Sequence, residues 1–210
     1  MRYFLLLLAV LFASFAVETL AQKLITKDGL LYQEASEEPY SGERMIHYLN
    51  GNLKQKTNYK DGKFEGLFEL YHENGNLKEK TSYKDGKTEG LFELYYENAN
   101  LKQNSNYKDG IREGVLESYH LNGNLKKKTN YKDGKKEGVD ETYDDKGNLK
   151  SRLKRKDGQV HGVLELYYEN GQLWSKVNYK DGKKEGLSEV FDNSGKLKSQ
   201  RTYKNGELED

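Results

Sequence analysis

Short apolar stretches alternate with polar turns along most of the chain, in a pattern typical of β-hairpins. The stretch "GLFELYHE" (66–73) is rich in aromatic and aliphatic residues and ends at Asn74-Gly75. The stretch "NLKEKTSYK" (76–84) follows and ends at Asp85-Gly86. Asn-Gly and Asp-Gly are strong hairpin signals, because a type I′ turn needs positive φ at both central residues. Each unit is therefore predicted to form two antiparallel strands with two-residue turns.

The same pattern returns every 24 residues without an insertion. A glycine register and a leucine register agree with a tyrosine register, which consists of Tyr59, Tyr83, Tyr107, Tyr131, Tyr179 and Tyr203, with Arg155 in the vacant slot. A fixed period of this kind indicates a repeat array in which neighbouring units supply each other's burial. We predict an all-β fold, an elongated single-layer antiparallel sheet of about seven stacked hairpins over residues 42–210. An irregular lead-in over residues 22–41 is expected to cap it.

Counting outward from two-residue turns predicts which residues face each other. The counted pairs are His72–Leu77, Leu70–Glu79, Glu69–Lys80 and Phe68–Thr81 around the first turn, and Tyr83–Thr88 and Lys80–Leu91 around the second. Four units then carry an opposite-charge pair across the strands: Glu69–Lys80, Glu117–Lys128, Glu141–Arg152 and Glu165–Lys176. Each such pair contributes roughly 0.2–1 kcal/mol. The recurring charges are therefore interpreted as architectural.

The first 21 residues differ from the array. Arg2 precedes an apolar run over residues 3–17, and Thr19 and Ala21 fit a cleavage pattern. The run is shorter than the roughly 20 residues that span a bilayer. We expect residues 1–21 to be a cleaved secretory signal and the protein to be exported, whether periplasmic, on the outer surface or secreted. An uncleaved anchor and a buried helix are the alternatives.

Composition narrows the function classes. The 35 basic and 34 acidic residues nearly cancel, so no overall field attracts nucleic acid, and no nucleic-acid partner is expected. The absence of cysteine excludes disulfides and thiol chemistry. An active site needs a singular constellation of groups, whereas each carboxylate here recurs in equivalent surroundings. We therefore expect no enzymatic activity, no catalytic residue and no cofactor.

The histidines do not suggest a metal site. They show no ligand spacing, and we interpret them as solvated residues of a sheet face: His47, His72, His120 and His161. No metal ligand is therefore assigned.

Two departures from the repeat are candidates for function. Asp140 stands in an apolar slot and opens an acidic run, which the next strand answers with basic residues from Lys150 to Lys156. This hairpin is either self-neutralising or a charged docking patch or bend. Trp174 occupies a slot that is lysine in most units and is either an anchor for a partner or a cover for Tyr167.

The candidate partner surface combines these departures with the recurring aromatic residues. It consists of Tyr71, Tyr95, Tyr119, Tyr143, Tyr167, Trp174, Asp140, Asp144, Arg152 and Arg155. The glycines assigned to structural turns are Gly75, Gly86, Gly123, Gly134, Gly171 and Gly182.

The repeated residues carry a family resemblance. At their spacing, they resemble the MORN repeat variant, a β-hairpin unit that stacks into an elongated single-layer sheet: Gly66, Tyr71, Asn74-Gly75, Leu77, Tyr83, Gly86 and Gly90. The classical unit has a tryptophan and a paired Gly-x-Gly ending that are missing here. The resemblance implies a non-enzymatic scaffold that binds a protein or a cell-surface component, with membrane contact as a secondary expectation. Bacterial chains of this kind are often described as YwqK-type antitoxins. An antitoxin or immunity-type partner that neutralises a toxin, and a structural envelope component, are therefore alternatives.

Overall fold

The structure is a computed structural model that describes residues 23–209. The expected secretory signal, residues 1–21, lies outside this range. Within the range, no helix is long and apolar enough to cross a membrane. The described chain forms strands that are connected by two types of turn, except at residues 34–41, which form a longer connection near the N-terminus.

Seventeen strands follow one another along the chain. Their bounds are β1 Leu24–Lys27, β2 Leu30–Gln33, β3 Gly42–His47, β4 Leu53–Lys60, β5 Lys63–Tyr71, β6 Leu77–Lys84, β7 Lys87–Tyr95, β8 Leu101–Lys108, β9 Ile111–Tyr119, β10 Leu125–Lys132, β11 Lys135–Tyr143, β12 Leu149–Lys156, β13 Gln159–Tyr167, β14 Leu173–Lys180, β15 Lys183–Phe191, β16 Leu197–Lys204 and β17 Glu207–Leu208. β1 and β2 form a separate two-stranded sheet. The other 15 strands form one antiparallel sheet in which each strand pairs with its neighbours in sequence. This arrangement confirms the predicted all-β sheet of stacked hairpins, and 15 strands at about 4.7 Å give it a length of roughly 65 Å.

The Asp-Gly turns have the predicted conformation. Asp85 and Gly86 have φ values of 49° and 78°, and Lys84 pairs with Lys87 on either side of them. Gly134 and Gly182 occupy equivalent turns after Asp133 and Asp181. Positive φ at two successive residues is the mark of the type I′ turn, so this part of the prediction is confirmed.

The prediction of a type I′ turn at Asn74-Gly75 is wrong. Only Gly75 has positive φ there, at 87°. Its N–H donates to the carbonyl oxygen of His72 at 2.9 Å, and the N–H of His72 donates to that of Asn76 at 2.8 Å. The loop therefore holds three residues, a type I turn followed by a glycine bulge. Because of the extra residue, Leu77 pairs with Tyr71 instead of His72. Gly123 and Gly171 occupy the same position in their own loops.

The counted register also fails beyond the type I′ turn. Lys80 pairs with Glu93, not with Leu91, because the register shifts between Lys80 and Ser82. The shift coincides with Gly90, whose φ is 78° inside the strand. A glycine with positive φ lets one strand carry more residues than its partner over the same length. The strand bends at this point, and pairing resumes with glutamate opposite lysine.

The lead-in, expected to be irregular, forms a regular hairpin. β1 and β2 are joined by a type I′ turn at Asp28 and Gly29. The N–H of Leu31 donates to the carbonyl oxygen of Gly62 at 3.0 Å, and Leu31 is 7% exposed. A Cβ at Gly62 would lie 2.8 Å from the Cβ of Leu30. The hairpin therefore packs directly against the first type I′ turn of the array.

One face of the sheet carries the thin core. Thr57, Thr81, Ser105 and Thr129 are each 1% exposed at equivalent places on the even-numbered strands. Phe68, which pairs with Thr81, is 8% exposed, and its ring lies 5.6 Å from that of Tyr83. We call this side the buried face. Small residues on the even strands leave room for large ones on the odd strands, so a single layer buries some side chains without a second sheet.

Candidate binding face

A row of paired residues crosses the opposite side of the sheet from β4 to β16. Each member pairs with the next in the order Lys56, Glu69, Lys80, Glu93, Asn104, Glu117, Lys128, Glu141, Arg152, Glu165, Lys176, Glu189 and Gln200. We call this row the charge ladder. Because the strand bulge restores pairing after each type I′ turn, the separate Glu–Lys pairs predicted from the sequence join into one continuous row.

The pairs of the ladder are partly exposed. The nitrogen–oxygen distance is 3.3 Å between Lys128 and Glu117 and 2.9 Å between Arg152 and Glu141. The Lys128 side chain is 43% exposed and that of Arg152 is 48% exposed. Exposed pairs of this kind are worth about 0–1 kcal/mol each. Their main effect is to fix register and keep the face polar.

An aromatic row runs beside the ladder on the same face. The Tyr71 hydroxyl donates to Oε2 of Glu69 at 2.9 Å. The same bond joins Tyr119 to Glu117 and Tyr143 to Glu141 at 2.9 Å, and Tyr167 to Glu165 at 3.0 Å. Burial and then the hydrogen bond to Glu69 raise the pKa of Tyr71. The tyrosines are therefore half-buried, neutral and held in a fixed orientation by the ladder.

An aliphatic row that was not among the predicted site residues lies on the other side of the ladder. Its members stand two residues before each glutamate: Leu67, Leu91, Val115, Val139, Val163 and Leu187. Leu91, Val139 and Leu187 are 49%, 39% and 40% exposed. Alternation along a strand puts residues i, i+2 and i+4 on one side. The signal was present as the recurring Leu/Val-x-Glu-x-Tyr/Phe spacing. We call the three rows together the binding face.

The structure divides the predicted partner surface into three parts. The binding face holds the five tyrosines and Arg152. Asp140 and Arg155 meet on the buried face. Asp144 and Trp174 lie at the edge formed by the three-residue loops, which we call the loop edge. The predicted residues therefore do not form a single patch.

Asp140 is enclosed, which corrects its expected place on an accessible surface. It is 4% exposed. Its Oδ2 lies 3.2 Å from Nε of Arg155, and its Oδ1 lies 3.5 Å from Nζ of Lys127. The hydroxyl of Thr129 donates to Oδ1 at 2.7 Å. Two cations and a hydroxyl from the neighbouring strands thus satisfy this carboxylate inside the sheet.

Side chains on the loop edge fasten most of the loops to the next unit. The Tyr48 hydroxyl donates to the carbonyl oxygen of Tyr71 at 2.7 Å, and Tyr96 does the same to Tyr119 at 2.8 Å. His72 and His120 fill the same slot, with Nε2 at 3.2 Å and 3.0 Å from the carbonyl oxygens of Tyr95 and Tyr143. The interpretation of His72 and His120 as solvated residues is therefore wrong. They are half-buried connections between units.

One junction of the loop edge lacks these connections. Asp144 takes the Tyr/His slot, and its Oδ1 accepts N–H bonds from Lys146 and Asn148 of its own loop. The Asn148 side chain donates to Oδ2 of Asp144 at 3.0 Å instead of reaching the next loop. Within the described chain, no side-chain hydrogen bond joins residues 144–148 to residues 167–172, where the acceptors of the other junctions have their equivalents. The hydrogen bonds from Asn148 lower the pKa of Asp144.

Trp174 is 45% exposed and lies at the loop edge. Its ring centroid is 6.1 Å from that of Tyr168, so its aromatic neighbour is Tyr168. Within residues 23–209, no group of three or more His, Asp or Glu side chains is arranged to hold a metal ion.

Comparison with known proteins agrees with the repeat geometry. The family model described as MORN repeat variant matches residues 40–61, 64–85, 88–109, 112–133, 160–181 and 184–205. The segment between residues 133 and 160, which holds Asp140, Asp144 and Arg155, is not matched. A search of curated proteins found no match to the chain.

Proposed function

The chain belongs to the MORN repeat variant family, and from this premise we propose that it is a non-enzymatic repeat scaffold whose binding face holds a protein or a cell-surface component. The observation that carries the proposal is the exposure of three members of the aliphatic row, in alternate units. Leu91, Val139 and Leu187 leave 39–49% of their surface in water on a face that is otherwise charged and internally paired. Exposed apolar residues that recur along one face of a sheet mark a candidate interaction site.

The geometry favours an extended partner over a small molecule. Equivalent residues of neighbouring units lie two strands apart, or about 9–10 Å. A partner that follows the face meets the same aliphatic, acidic and aromatic groups at each step. Weak contacts repeated in this way add up through effective concentration, without any single strong site.

Export is part of the proposal and rests on the sequence of residues 1–21. An antitoxin or immunity-type protein could use the same face to hold a toxin, and a structural envelope component could use it within a cell-surface layer. Recovery of the mature chain from the cell envelope, bound to one defined component, supports the scaffold. Retention of the full-length chain in the cytoplasm with a toxin would support the antitoxin reading instead.

The experiment compares two triple variants. Leu91→Ser/Val139→Ser/Leu187→Ser removes the three exposed members of the aliphatic row. Leu49→Ser/Ile111→Ser/Leu121→Ser removes three residues of equal or greater exposure at the turns, and serves as the matched control. Both should fold, because none of the six residues is buried. After cross-linking in the native compartment, we expect the first variant to lose the component that the wild type and the control capture in a saturable manner. Equal capture by both variants would contradict the proposal.

A further inference from the structure

Trp174 interrupts a column of lysines at the loop edge. The equivalent residues of the other units are Lys54, Lys78, Lys102, Lys126, Lys150 and Lys198. Where the neighbouring slot holds a tyrosine, the lysine lies over the ring. Nζ of Lys54 is 5.5 Å from the ring centroid of Tyr48, and Nζ of Lys102 is 5.5 Å from that of Tyr96. Since six units fold with lysine here, the fold does not require an indole at Trp174.

Trp174 and Tyr168 form an aromatic pair in which the indole is exposed and the tyrosine ring is half-buried. Their ring planes are tilted by 47°. The Tyr168 hydroxyl donates to the carbonyl oxygen of Phe191 at 2.9 Å, which fixes the tyrosine ring against the next unit. Trp174 therefore leans on a rigid support and still leaves 45% of its surface in water. A large, fixed and exposed aromatic surface suits a ligand with a flat apolar side.

The surroundings of the pair are polar and carry no net charge. The loop segments 144–150, 168–174 and 192–198 together hold four acidic and four basic residues. Oδ1 of Asp192 accepts the N–H groups of Ser194 and Lys196 at 2.9 and 3.0 Å, which fixes this carboxylate at the neighbouring loop. Gln172 extends toward the same loop, with Oε1 3.3 Å from the position of a Cβ at Gly195.

We propose that Trp174 and Tyr168 form a saccharide-binding platform on the loop edge. A pyranose with equatorial hydroxyls has a flat side of axial C–H groups, which would stack on the indole, while its hydroxyls bond to Gln172 and Asp192. Lys150 and Lys198 stand one unit away on either side, about 9–10 Å along the sheet, and disfavour a cationic side chain. The balanced charge favours a neutral glycan. The platform lies outside the binding face, so the inference goes beyond the proposed scaffold function.

The test uses the indole as its own reporter, because Trp174 is the only tryptophan of the chain. The mature protein is titrated with cellotetraose and with chitotetraose while tryptophan emission is recorded. We expect a saturable change with a dissociation constant near ~1 mM, as suits a small contact. No change with either sugar up to about 10 mM would overturn the proposal. A change with a tetra-arginine peptide alone would also overturn it and assign the site to cationic protein segments.

A second measurement does not depend on fluorescence. Retention on insoluble cellulose and chitin is compared for wild type, Trp174→Lys and Lys126→Gln, which lies in the same column two units away. Trp174→Lys restores the residue of the other units, so it should fold, which circular dichroism checks. We expect Trp174→Lys to lower retention about tenfold, while Lys126→Gln retains binding. Equal retention of the wild type and Trp174→Lys would contradict this proposal. This outcome is independent of whether the binding face holds a partner.

Discussion

Nε of Arg155 lies 3.2 Å from Oδ2 of Asp140, on the side of the sheet where the other units place tyrosine and mostly apolar residues. The two substitutions occur together in the unit that the family model does not match. Asp140 is 4% exposed, while the side chain of Arg155 is 21% exposed and donates also to the carbonyl oxygen of Gly158 at 3.0 Å. In this unit an ion pair therefore replaces an apolar contact. The buried Asp140 depends on the pair more than Arg155 does, because Arg155 reaches water and has a second acceptor.

This inequality predicts different costs for the two single substitutions. Arg155→Tyr, which restores the residue of the other units, leaves a buried carboxylate with less compensation and should destabilise the chain by about 3 kcal/mol. Asp140→Leu leaves Arg155 and Lys127, both of which reach water, and should be neutral or stabilising. The double variant restores the repeat and should be at least as stable as the wild type. Chemical denaturation followed by circular dichroism measures all three.

Arg152→Gln is the matched control, because it breaks an exposed pair of the charge ladder and should cost less than about 1 kcal/mol. If Arg155→Tyr cost no more than this control, the buried Asp140 carboxylate would not depend on Arg155.

The sequence predicted those parts of the fold that are fixed by neighbouring residues. Asp85-Gly86 specifies its turn alone, since both residues accept positive φ and no others are involved. The pairs between β5 and β6 followed correctly from Leu70–Glu79 to Phe68–Thr81, even with the wrong turn type. The three-residue loop and its bulge displace pairing only at Tyr71 and Leu77.

The contacts between neighbouring units could not be predicted by counting residues outward from a turn. Gly66 and Gly90 shift the register inside their strands. The only sequence signal for such a bulge is a single glycine within a strand pattern. This shift places Glu93 next to Lys80 and turns isolated pairs into a ladder. The exposure of the aliphatic row could be predicted only by knowing which side of the sheet is buried. The loop-edge hydrogen bonds of Tyr48 and His72 join residues 23 positions apart. Such contacts depend on stacking between units, which a pattern within one unit does not contain.

The missing connections at residues 144–148 predict a flexible junction. Amide hydrogen exchange should be faster in this loop than in the equivalent loop 120–124. Asp144→Tyr with Lys146→Asn restores the groups found in other units and should slow exchange. Two to three new hydrogen bonds should also raise the free energy of unfolding by about 1–2 kcal/mol. Exchange measured by mass spectrometry and denaturant unfolding check the two effects.

The converse variant tests the cause. Tyr96→Asp with Asn98→Lys gives loop 96–100 the residues of loop 144–148. It should remove the connection to the next unit and accelerate amide hydrogen exchange there. If loop 144–148 exchanged as slowly as its equivalents in the wild type, the side-chain bonds would not determine mobility at this edge.

Glu79 should reduce stability at neutral pH. Burial raises the pKa of Glu79, and Lys78 only partly offsets this. A raised pKa in the folded state means that the penalty is present above that pKa, shrinks as pH falls through it, and disappears below the unfolded value of about 4.3. Glu79→Gln introduces the residue that two other units have at the equivalent position, Gln55 and Gln103. It should therefore stabilise the chain at pH 7. The gain in the unfolding free energy should vanish near pH 4.

Glu117 should give the opposite pH dependence. Burial alone would raise the pKa of Glu117, but hydrogen bonds from Tyr119 and Lys128 hold it below its ordinary value. Its contribution is present above the unfolded pKa and is lost as pH falls through the folded one. Glu117→Gln should therefore destabilise the chain at pH 7 and have little effect at low pH. If the unfolding free energies of Glu79→Gln and Glu117→Gln changed with pH in the same direction relative to wild type, the pKa shifts of the two glutamates would not determine the pH dependence of stability.

The last prediction concerns Ala99, which stands where the other three-residue loops have glycine. Because alanine tolerates positive φ poorly, the sequence predicts a longer or looser loop here, or a strained turn. The loop keeps its length, because the N–H of Ala99 donates to the carbonyl oxygen of Tyr96 at 2.9 Å, as Gly75 does to His72. The strain is present instead in the backbone, since Ala99 has φ of 65°. Alanine in this region costs up to roughly 1–2 kcal/mol relative to ordinary backbone, and glycine avoids most of it.

Ala99→Gly should therefore stabilise the chain by up to about 1 kcal/mol, in spite of glycine's greater freedom when unfolded. Gly75→Val, at the equivalent position with φ of 87°, should cost more than about 1 kcal/mol, although a Cβ there would meet no atom within 4 Å. Because space is available at Gly75, any loss must come from the backbone conformation itself. Thermal and urea unfolding of the two variants measure this difference. A neutral Ala99→Gly together with a harmless Gly75→Val would show that the loops relax to another turn type, and the register of Tyr71 with Leu77 would then have to change with them.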